Sequence, residues 1–476
     1  MSDPLAQFQT ALQSQDLLAI SIAARALIKA APALGSDWAG VAGAALEAGD
    51  EIAALDAAKL LVKAAPDYPQ SHVWVASALS AMGDHGGALA VLEAQIQRFP
   101  GEADLHRRAG RALIELGRTS AAHDRFKAAI DINSSDALAW EGLAEVRAFK
   151  RGDEALLTME ELRIGFPAET PDRDRGVLSY ALARAYDVLG DHEIAARRIA
   201  EAAAFFRQSA PFDVATHQAA MSHIAATYDD RFAKANEEAG VLDARPVFVI
   251  APPCTGADWI AKTLCAGDGV ARLERRNALF WMAASALGDH DSETLLRELD
   301  RGESEGLFTS IAHTYLARMS EQVGRDVRRV IDPSALTEMA AGVMGLSLPA
   351  AKFIRVTREP RDLAWAIYAR RFRRGRNWSY HPDDIARVLA SHNQLCARWD
   401  ALFGDRIHTV AYEDLVADPA AAMKPLAAFL GLDPKPVTAE AWLRADALKA
   451  DPAGVHKRVG SRFEPVEAAL KRAGLV

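Results

Sequence analysis

Cysteine is scarce: the chain of 476 residues has three, Cys254, Cys265 and Cys396. At such wide spacing they form neither a disulfide framework nor a metal cluster, and their rarity suits a reducing compartment. No metal is expected. Positive charge is not in excess either, since 55 Lys and Arg stand against 64 Asp and Glu, for a formal net charge of -9. Nothing therefore draws the chain as a whole to nucleic acid, and no nucleic-acid partner is expected. Long apolar runs are missing, because no stretch reaches the roughly 18 uninterrupted apolar residues that mark a membrane span. The opening residues, MSDPLAQFQT, show neither the basic nor the apolar region of a signal peptide. These absences predict a cytoplasmic protein without a membrane span. No Gly-Lys-Ser/Thr follows the Pro- and Gly-containing stretch at residues 251–258, which excludes a Walker A motif there.

What is present is a globular composition, with 50% apolar and 25% charged residues, over a length that calls for about two or three domains. Residues 1–205 are rich in alanine and leucine with helical periodicity. Three sets of residues recur there with one spacing of 34: Pro32, Pro66 and Pro100; Gly49, Gly83 and Gly117; Ala54, Ala88 and Ala122. Glycine permits a turn between two helices, alanine lets them approach, and proline ends the second. Each hairpin has an incomplete core alone and must stack on its neighbours. The period resembles tetratricopeptide repeats, and Gly110, Phe126 and Ala129 occupy that family's small and aromatic positions. The resemblance implies a concave surface for a protein or peptide partner.

After residues 206–244, which read as a helical linker, the pattern changes. Four short apolar runs separated by helical patterns, at 246–251, 328–332, 352–357 and 407–412, argue for a parallel sheet covered on both faces. Ligands of such sheets bind beyond the carboxyl ends of the strands. The first run leads through APPCTGAD into the helical WIAKTL, an arrangement that points free amides at an anion. Taken alone, the loop reads more readily as a structural turn than as a phosphate site.

Two further segments narrow the choice. Ile354, Arg358, Glu359, Pro360 and Asp362 are followed by Tyr412, Glu413, Asp414, Leu415, Asp418 and Pro419, and then by Phe429, Leu430, Gly431 and Leu432. Residues 245–476 thereby resemble sulfotransferases that use 3′-phosphoadenosine 5′-phosphosulfate (PAPS), and the chain is similar nearly end to end to bacterial proteins joining tetratricopeptide repeats to that domain. The resemblance implies an all-α repeat solenoid followed by an α/β domain with a parallel sheet, the P-loop-like sulfotransferase fold. It implies PAPS as co-substrate, with Pro253, Cys254, Thr255, Gly256, Ala257 and Asp258 as the 5′-phosphosulfate loop. Arg358, with a serine eight residues on, would hold the 3′-phosphate, and Lys457 and Arg458 would belong to a late basic loop over the donor.

Sulfuryl transfer needs cations and hydroxyls around a polyanionic donor and a base for the acceptor. Several positions depart from that need. Cys254 stands where the family has arginine, and Ala257 and Asp258 where it has hydroxyl residues. Pro333 follows Asp332 where a lysine is expected, and Ala366 takes the serine position. Asp258 reads either as a charge opposing the donor or as an N-cap of the helix. Glu274 is the candidate general base or an ordinary surface glutamate, and His290, His313, His381 and His392 carry no motif. The stretch Arg370–Arg376 packs five arginines into seven residues, suited to an acidic ligand or to solvent. Two readings follow: a PAPS-dependent sulfotransferase acting on a protein or glycan acceptor recruited by the repeats, or a catalytically impaired relative working as a repeat scaffold.

Overall fold

The computed structural model of the chain describes residues 3–14, 17–209, 211–273, 306–324, 326–333, 337–372, 376–433 and 453–476. The chain divides into two compact units, Met1–Pro211 and Phe212–Val476.

The first unit is helical throughout. The helix Trp38–Glu47 packs on Glu51–Ala64, Pro69–Ala81 on His85–Arg98, and Ala103–Glu115 on Thr119–Ile132. Each pair also packs on the helix that follows it, as stacked repeats require. The period in the sequence has a backbone cause. Gly49, Gly83 and Gly117 sit between paired helices at φ of 72°, 82° and 73°, a left-handed conformation that side chains rarely adopt. Ala54, Ala88 and Ala122 are fully buried at the crossings. Asp50 and Asp84 cap the second helices by accepting from the amides of Ala53 and Gly87.

The second unit holds a five-stranded, all-parallel sheet in the order β2-β3-β1-β4-β5. The strands are β1 Pro246–Ile250, β2 Val270–Arg272, β3 Arg329–Asp332, β4 Lys352–Thr357 and β5 Ile407–Ala411. The sequence pattern finds four of them and misses β2. Successive residues of β1 alternate between two cores. Phe248 and Ile250 join Phe353, Tyr315 and Trp399 on one face. Val247 and Val249 join Ile354, Ile260 and Leu426 on the other. From Phe212 on, the stretch expected as a linker belongs to this unit, and Met221, Ile224 and Tyr228 are buried in its first core. Among the described residues, no helix is long and apolar enough to cross a membrane.

Candidate functional site

The sheet order places β1 between β3 and β4, so the loops leaving β1 and β4 lie side by side at the carboxyl edge, with Ile250 in register with Arg355. The loop after β1 turns through two left-handed residues, Cys254 at φ 66° and Gly256 at φ 77°. A cysteine in that conformation carries strain on the order of 1 kcal/mol, so the surroundings must hold it there. They do so from three sides. Arg358, at the end of β4, donates from Nη1 to the carbonyl of Cys254 at 2.6 Å. The Cys254 thiol lies 3.6 Å from the carbonyl of Ala366. Thr255, buried, donates to the carbonyl of Pro252 at 2.7 Å. Tyr412 underlies Arg358, with the guanidinium carbon 4.2 Å from the ring centre.

The acidic motif residues build the same corner. Glu359 caps the helix Pro360–Tyr368 by accepting from the amide of Asp362. Glu413 accepts from the amide of Glu359 at 2.9 Å. Asp418 and Pro419 start the helix Pro419–Leu430, which Gly431 ends in a left-handed cap. The recognisable sequence of this region is thus largely a capping and bracing pattern.

Asp258 corrects one expectation. It does not cap its helix, Ala257–Leu264, whose N-cap is Gly256 with no side-chain bond. Its carboxylate instead pairs with Arg272 of β2 at 2.7 Å and with Lys262 one turn on at 2.9 Å. The negative charge beside the loop is therefore compensated, and the two cations are engaged by it. Pro253, Thr255 and Gly256 lie in the loop, Ala257 and Asp258 open the helix that follows it, and Arg358 and Ala366 adjoin the loop through Cys254. Asp332, buried, accepts from the Tyr315 hydroxyl at 3.0 Å.

Lys457 and Arg458 are exposed on the short turn Val455–Arg458. That turn is fastened to the first turn of Pro360–Tyr368, because Asp362 accepts from the amides of Gly454 at 2.5 Å and His456 at 3.1 Å and also meets the His456 ring. Burial raises the Asp362 carboxyl, but these bonds outweigh it and hold it below its usual range. Atoms of Glu359, Asp362 and His456 lie within 4.8 Å of one another, and all three groups already serve in caps or in this tether. Of the arginine stretch, Arg370, Arg371 and Arg376 are described, and Arg376 covers the Phe372 ring at 5.4 Å. Arg373, Arg374 and the candidate base Glu274 lie outside the described residues.

A cavity of about 260 Å³ opens beside the loop, bordered by Pro252, Thr357, Arg358, Leu363, His392 and Cys396. His392, left unassigned by the sequence, has its Nε2 3.4 Å from Cys396 Sγ and its Nδ1 3.8 Å from Glu338. Burial alone would lower the imidazole, but Cys396 and Glu338 push it up to about 10. Glu338 itself is raised by burial and lowered further by His392, ending below its usual range. A His four residues before a Cys on a long amphipathic helix carries no signal of a site, because Glu338 comes from a separate helix, Thr337–Ser347.

Residues 246–436 match the sulfotransferase family, and residues 79–146 match the tetratricopeptide repeat. No curated protein matches. Among solved structures, the chain is similar to the sulfotransferase domain of the Synechococcus PCC 7002 olefin synthase, at 17% identity over 47% of this chain and 95% of that one, with a TM-score of 0.30. It is also similar to a sulfotransferase from Alicyclobacillus acidocaldarius, at 17% identity over 48% and 97% of the two chains, with a TM-score of 0.29. MamA is similar at 20% identity over 36% of this chain and 97% of its own, with a TM-score of 0.28.

Proposed function

From the premise that this chain carries a sulfotransferase-family domain behind tetratricopeptide repeats, we propose that it is a partner-binding member of that group in which PAPS chemistry is impaired. The repeats recruit a protein or peptide, and the second unit serves that complex in place of turning over the donor. The observation that carries this reading is the state of Arg358. Its guanidinium holds the carbonyl of Cys254 and stacks on Tyr412, so it braces the loop that a donor phosphate would occupy. The neighbouring substitutions point the same way. Cys254 brings no cation and Ala366 no hydroxyl, while the Arg272 and Lys262 charges are paired with Asp258. Losing a charged contact to a bound anion costs about 1.5–3 kcal/mol, and two such losses weaken binding by more than about 100-fold.

The second reading, a working sulfotransferase in the cytoplasm, draws on the backbone. The loop keeps its left-handed turn at Cys254 and Gly256 ahead of a helix N-terminus, which leaves amides for a phosphate. Calorimetry of the full chain with 3′-phosphoadenosine 5′-phosphate separates the two. We expect no heat of binding at millimolar ligand. Micromolar binding that disappears in Arg358→Ala overturns the impaired reading.

A further inference from the structure

Cys396 and His392 lie one turn apart on the buried face of the helix Pro382–Phe403. They are 5% and 6% exposed, yet both border the cavity. Nothing in the donor-loop reading uses them. A buried core position ordinarily takes an apolar side chain, and a titratable pair there requires compensation. Here the compensation has an order to it: a thiol against one imidazole nitrogen at 3.4 Å and a carboxylate facing the other at 3.8 Å. Nucleophile, base and orienting group in that sequence are the elements of covalent catalysis, and such contacts are often long without a bound ligand.

We propose that Cys396, His392 and Glu338 form a nucleophilic centre that takes an acyl group from a small ester entering the cavity. With its imidazole neutral, a form that grows as pH rises toward about 10, His392 Nε2 accepts the thiol proton and the sulfur attacks the carbonyl carbon. A C–S bond forms, the C–O bond to the alcohol breaks, and Nε2 returns its proton to the departing oxygen. The products are S-acyl Cys396 and the free alcohol. Water then gives a proton to Nε2 and its hydroxide to the acyl carbon, the C–S bond breaks, and the sulfur regains the proton as the acid leaves. No oxidant or reductant enters. Glu338 touches no substrate and is a positioning residue that keeps Nδ1 turned toward it. The cavity, at about 260 Å³, is below the size of ordinary drug-sized sites and restricts the acyl group to a short one. Leu363 and Leu389 supply its apolar wall, and Asn393 and Arg358 border it with polar groups.

The test uses the full chain and p-nitrophenyl acetate. The expected result is a burst of one equivalent of p-nitrophenol, with the acetyl group mapped by peptide mass spectrometry to Cys396. Cys396→Ala removes the burst. His392→Gln slows it on the order of 100-fold. Glu338→Gln slows it and Glu338→Asp recovers part of the loss, a rescue that a purely structural role would not give. Acetyl mapped to Cys254 or Cys265 instead, or an unchanged burst in Glu338→Gln, overturns the proposal. Because the mapping is made on the unsubstituted chain, it decides the matter even where a variant fails to fold.

Discussion

His392 sits where burial should strip an imidazole of its proton, and the groups facing it reverse that outcome. Its folded-state value, near 10, lies above the ordinary 6.5. A group whose folded value is raised contributes stability that is fully present below the unfolded value and is lost as pH rises through the folded one. The difference in unfolding free energy between the wild type and His392→Gln should therefore be largest near pH 6 and shrink between about pH 6.5 and 10. Urea unfolding at a series of pH values measures it, and a difference that stays flat across that window contradicts the protonated imidazole. The sequence could not disclose this residue, because its partner Glu338 lies on another helix. The opposite holds for Arg358. Its place in a recognisable run of residues marked it, but the same run could not show that the guanidinium is engaged by Cys254 and Tyr412. Asp258 shows the same limit, since Arg272 reaches it only through β2, a strand of three half-buried residues with no apolar signature.

Elements were most legible where the backbone itself demands a residue type. The glycines between repeat helices are required by φ, and the buried alanines by helix approach, so both recur in the sequence. Tight packing makes a further distinction that periodicity alone does not. A Cβ added at Gly142 would meet the Phe126 ring at 2.2 Å, and Phe126 is fully buried. A Cβ added at Gly40, exposed in the helix Trp38–Glu47, meets nothing within 4 Å. Gly142→Ala should therefore destabilise the repeats by about 1–3 kcal/mol through overpacking. Gly40→Ala should stabilise them by about 0.5–1 kcal/mol through helix propensity and a restricted unfolded chain. Urea midpoints of the two variants should move in opposite directions. A parallel shift would mean that Phe126 has room to move and that the close approach at Gly142 is not a constraint.

At the scale of the whole molecule, the two units differ in what a cut between them would remove. The sequence changes character near residue 245, where apolar strands begin, and that composition shift suggests a domain starting at β1. The packing argues for an earlier start. Tyr228 is 2% exposed, stacks edge-on against Trp399 at 5.5 Å, and accepts at its carbonyl from Arg398 at 2.6 Å. Met221 and Ile224 are buried in the same core. Burying a large apolar side chain contributes about 1.5–3 kcal/mol, so removing these three forfeits about 5–9 kcal/mol, comparable to the whole stability of a typical domain. A fragment of residues 212–476 should unfold cooperatively in urea, whereas one of residues 245–476 should show no cooperative transition or aggregate. Helical patterning alone could not assign residues 212–244 to either unit, because an amphipathic helix does not name the surface it packs on. If the shorter fragment unfolds with the midpoint of the longer one, the 214–227 helix is peripheral and the second unit begins at β1 after all.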